Sequence, residues 1–74
     1  MIARLLIWNL YDSQTTLDEL RVHLPDLPEG DRWLSNEPQE RLALVSFGDE
    51  LPDLGEIPEL IGKEPDVAEE FDVE

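Results

Sequence analysis

Cysteine is absent from this chain, so neither a disulfide nor a thiolate metal site can brace it. Cations are scarce. Five Lys and Arg stand against nineteen Asp and Glu, a formal net charge of −14 over 74 residues. Nucleic-acid affinity depends on Lys and Arg displacing counterions from phosphates, so direct nucleic-acid binding is not expected. Anionic lipid surfaces repel such a chain for the same reason. No apolar run is long enough to span a bilayer: Ile2 to Leu10 is short and broken by Arg4. It lacks a basic leader, and the cytoplasm is the expected compartment. The four glycines are scattered, so no phosphate-cradling loop is formed.

Metal and catalytic chemistry are thinly supplied. His23 is the only imidazole, and a metal site built on it would need carboxylates to complete it. Its placement also fits a partly exposed residue near a helix C-terminus. Asp49, Glu50, Asp53, Glu56 and Glu59 offer oxygen ligands for a hard cation, but the EF-hand spacing is absent and a solvated acidic face explains them. Ser35 as a nucleophile would need a base within hydrogen-bond reach, and the one His lies on another element. Neither a cofactor nor a metal is expected.

What the sequence does contain is a regular alternation of elements within one domain, residues 1–74. Residues 2–10, "IARLLIWNL", are apolar on both alternating sets, the pattern of a strand covered on both faces. Thr16 and Glu19 have capping-box spacing, Leu17, Leu20 and Leu24 share one helical face, and Pro25 stops the helix they define. "RWLSN", "EPQE" and "RLALVSF" read as strand, turn and strand. With Asn36 opposite Arg41, Trp33 faces Leu44 and Ser35 faces Leu42. Pro58 and Gly62 bracket a short helix near residues 56–61. Residues 67–73 read as a strand, with a helix as the alternative.

The order β-α-β-β-α-β, with its two doubly apolar strands at 2–10 and 41–47, predicts an α+β fold. It is the ferredoxin-like arrangement, a four-stranded antiparallel sheet with two helices on one face. In this pattern the whole chain resembles the small dimeric α+β barrel proteins, among them antibiotic-biosynthesis-type monooxygenases and stress-response barrel proteins. The resemblance implies a homodimer. It carries no signature motif, so no catalytic residue transfers with it.

Two helices leave one sheet face bare. The expected bare face carries Arg4, Leu6, Trp8, Trp33, Ser35, Leu42 and Leu44, while Leu5, Ile7, Ala43, Val45 and Phe47 pack under the helical leucines. A patch so apolar marks a binding surface or a pocket. The alternative reverses the faces and makes the tryptophans core. Self-association through the sheet, in a binding or structural role, is the leading expectation. An enzyme of the monooxygenase kind would need a pocket, for which Asn9, Tyr11, His23 and Trp33 are the candidates. An acidic decoy that mimics nucleic acid and occupies a basic protein partner would use Asp18, Glu19 and the acids of residues 49–74.

Overall fold

A computed structural model describes all 74 residues. The chain forms β1 (Ile2–Asn9), α1 (Leu17–Arg21), β2 (Arg32–Asn36), β3 (Arg41–Gly48), α2 (Ile57–Ile61) and β4 (Val67–Asp72). The fold is α+β: one four-stranded sheet and two short helices. Strand order is β2-β3-β1-β4, and every neighbouring pair is antiparallel. The doubly apolar strands β1 and β3 hold the centre, and the mixed strands β2 and β4 form the edges. None of the helices is long and apolar enough to cross a membrane.

Local signals account for the elements. Thr16 is extended, and its hydroxyl accepts from the Glu19 amide at 3.2 Å; only this half of the capping box forms. Helix α1 ends at Arg21, earlier than the leucine spacing predicts, and Val22 and His23 turn out of it toward Pro25. Helix α2 has Pro58 in its first turn and ends at Gly62, whose φ of 99° is the left-handed conformation glycine adopts without strain. The β2–β3 hairpin pairs Asn36 with Arg41, Ser35 with Leu42 and Trp33 with Leu44, as the turn spacing predicts.

The helices lie on the tryptophan side of the sheet. Leu6, Trp8, Leu10, Leu42 and Leu44 form one buried cluster with Leu17 and Leu20 of α1 and Ile61 of α2. This reverses the expected faces, and the physical reason is the indole groups. A tryptophan can be fully enclosed only where its N–H finds an acceptor, and loops on the helical side supply two. Trp8 is fully buried and donates from Nε1 to the Lys63 carbonyl at 3.0 Å. Trp33 donates to the Pro25 carbonyl at 3.1 Å, and the two rings stand 6.3 Å apart at 46°.

Trp8 therefore joins β1 to the α2–β4 connection through a hydrogen bond as well as through its packing. Trp8→Phe removes the donor from a part-buried carbonyl and leaves part of the ring volume empty, a loss of about 2–3 kcal/mol. Tyr11, in the turn after β1, is 66% exposed, and Tyr11→Phe is expected to stay within about 0.5 kcal/mol of wild type. Urea denaturation of the two variants checks the contrast.

Candidate functional site

Because side chains alternate along a strand, enclosing Leu6, Trp8, Leu42 and Leu44 turns the intervening residues outward. The bare face is built from three cross-strand rows. Phe47, Ala3 and Phe71 form the first. Arg32, Val45, Leu5 and Glu69 form the second, running from the β2 edge to the β4 edge. Leu34, Ala43, Ile7 and Val67 form the third. Nothing in the chain covers them. Leu34 is 49% exposed, Phe47 46% and Phe71 51%, while the central residues shield one another.

This face differs electrostatically from the rest of the molecule. Its strand positions carry two of the five cations, Arg32 and Arg41, and one of the nineteen acids, Glu69. Neither Arg32 nor Glu69 is ion-paired within the chain; the Arg32 guanidinium only donates to the Asp31 carbonyl. The remaining acids lie on the helical side, the outer edges and the loops.

The residues expected on the bare face are placed elsewhere. Leu6, Trp8, Leu42 and Leu44 are core, and Trp33 packs against them half-buried. Ser35 is exposed at the β2 edge beside the Arg21 guanidinium, which pairs with Glu37 and Asp18. Arg4 lies on the helical side and donates to the Pro52 carbonyl at 2.9 Å. Polarity does not separate the two sets: Arg32, Asn36, Arg41 and Glu69 share the parity of Leu5 and Ile7, while Arg4, Ser35, Ser46, Glu70 and Asp72 share that of Leu6 and Trp8.

The four pocket candidates do not converge. His23 lines a shallow cleft of about 420 Å³ with Pro25, Glu56, Ile57 and Leu60, which holds none of the other three. Tyr11 is 66% exposed. Asn9 is held by its backbone: its N–H donates to Asp66 Oδ2 at 2.8 Å and its carbonyl accepts from Lys63 Nζ at 2.9 Å. Lys63 also contacts Asp12 and Asp66, at 3.3 and 3.0 Å. Lys63 and Asp12 edge a polar cleft of about 430 Å³ with Ser13, Gln14, Thr15 and Gly62. The ammonium is matched there by two carboxylates. No cluster of three or more His, Asp or Glu side chains is arranged to hold a metal ion.

The Lys63–Asp66 pair has a titration consequence. The Asn9 amide, and then the Lys63 ammonium, hold the Asp66 carboxyl below its ordinary value of 3.8. Hydrogen bonding to Asp66 raises Lys63 above 10.5.

The chain matches no protein-family model and no curated protein. The functional reading therefore rests on the arrangement of the side chains themselves.

Asp66 supplies a prediction with a defined sign. Its folded pKa is the lower one, so its stabilisation is present above the unfolded value and lost as pH falls through the folded one. Asp66→Asn abolishes this titration. The stability gap between wild type and variant is expected to be widest near about pH 6 and to narrow by about pH 3, read from urea midpoints.

Proposed function

We propose that this chain is a ferredoxin-like module whose bare sheet face associates with a second copy of itself, in a binding or structural role. The β-α-β-β-α-β succession and the central position of β1 and β3 support the fold part of this reading. The observation that carries the association is the bare face, three rows of largely apolar side chains that no element of the chain covers.

Size supports the reading. Four strands about 4.8 Å apart, with five to eight residues each at about 3.3 Å, present a face of roughly 20 by 23 Å. That flat footprint is near the lower bound of ~500 Å² per partner for a biological interface, and side-chain relief extends it toward the ~800 Å² of a standard one. Stability supports it too. Only nine of 74 residues are buried, and a chain this short without disulfides commonly gains burial by oligomerising. Charge supports it further. Two copies of net charge −14 repel one another at most approaches, and this face has few acids.

Phe47→Asp tests the proposal. Phe47 is half-exposed in the single chain, so the variant is expected to fold, while the added carboxylate opposes desolvation of the face. Light scattering at about 100 µM, a concentration suited to a Kd in the micromolar range, is expected to give twice the 8.5 kDa chain mass for wild type and the single mass for the variant. A wild type that remains monomeric at that concentration rules out the reading.

A further inference from the structure

Resting on that reading, we infer that the two copies are related by a two-fold axis parallel to the strands, midway between β1 and β3, and that Arg32 of each copy pairs with Glu69 of the partner subunit. Two sheets stacked face to face about 10 Å apart can be related by a two-fold axis along the strands or across them. The residues of the bare face distinguish the two.

An axis along the strands lays each cross-strand row on the same row of the partner, reversed. Strand β2 then lies over the partner's β4, and β3 over the partner's β1. In the middle row Arg32 and Glu69 occupy opposite ends, so reversal sets each guanidinium against a carboxylate, twice per dimer. Packed sheets cross at roughly 30°, which shifts an edge strand by about 4 Å, within the reach of an arginine side chain. Side-chain size agrees with the same operator. Phe47 falls over the partner's Ala3, and Ala43 falls under the partner's Ile7, so large meets small on both flanks of the axis.

An axis across the strands, centred on the same row, lays β2 on β2 and β4 on β4. It sets Arg32 against Arg32 and Glu69 against Glu69, two like-charge contacts in a desolvating interface. Charge therefore selects the first arrangement, and it also bears on partner choice. A copy with its cation at one edge and its acid at the other is complementary to itself only in this register.

The experiment uses Arg32→Glu and Glu69→Arg, both at exposed positions, with circular dichroism confirming that each variant folds. Each alone places like charges together twice and is expected to lose self-association by about tenfold or more. An equimolar mixture restores both opposite-charge contacts and is expected to give a one-to-one heterodimer by native mass spectrometry. The doubly substituted chain is expected to recover the homodimer. General repulsion predicts otherwise, because Glu69→Arg takes the chain from −14 to −12 and would strengthen association. If Phe47→Asp dissociates the dimer but the single charge variants leave it intact, or the mixture forms no heterodimer, the register is overturned and the face remains. If wild type itself is monomeric, both fall together.

Discussion

The enclosure of Trp8 is the interaction on which the rest of the structure depends. Its ring fills the space between the sheet and the two helices, and its N–H reaches the Lys63 carbonyl just beyond α2. Lys63 returns a hydrogen bond to the Asn9 carbonyl, one residue after Trp8, and Asp66 accepts from the Asn9 amide. Within this small loop the end of β1 is tied to the segment that leads into β4. Burial of the indole and the polar ties act on the same few residues, so the packing of α2 and the pairing of β4 with β1 are coupled.

That constraint decides what the other face can be. Helices of five residues each cover little, and they are committed to the tryptophan side. A chain without cysteine has no disulfide to brace it. The outward rows are therefore apolar without an internal partner, and this is the feature behind the proposed self-association. Acidity fits the same scheme. On the proposed reading, negative charge on the helical side, edges and loops discourages association there, and the bare face carries few acids.

Much of the architecture was legible in the sequence. The four-residue turn around Pro38 set Asn36 opposite Arg41, and with it the pairing of the whole hairpin. Thr16, Pro58 and Gly62 marked helix ends through side-chain capping, a fixed φ and a tolerated positive φ. These are local effects that act over three or four residues. Alternation along β1 and β3 likewise separated two sets of side chains, and the structure keeps each set on one face.

Which set lies under the helices was decided only by the tertiary structure. Both sets are apolar in the central strands, so hydropathy alone does not rank Leu5 and Ile7 against Leu6 and Trp8. The choice follows from contacts beyond any one element: Trp8 with Lys63, 55 residues on, and Trp33 with Pro25 across the loop that enters β2. The juxtaposition of Arg32 and Glu69 in one row also needed both sheet pairings, since β2 touches β3 and β4 touches β1, and only their sum places the two charges at opposite ends. Local sequence determined the elements, their ends and their alternation. The orientation of the sheet, and therefore the chemistry of its bare face, came from long-range packing and from the need of a buried indole N–H for an acceptor.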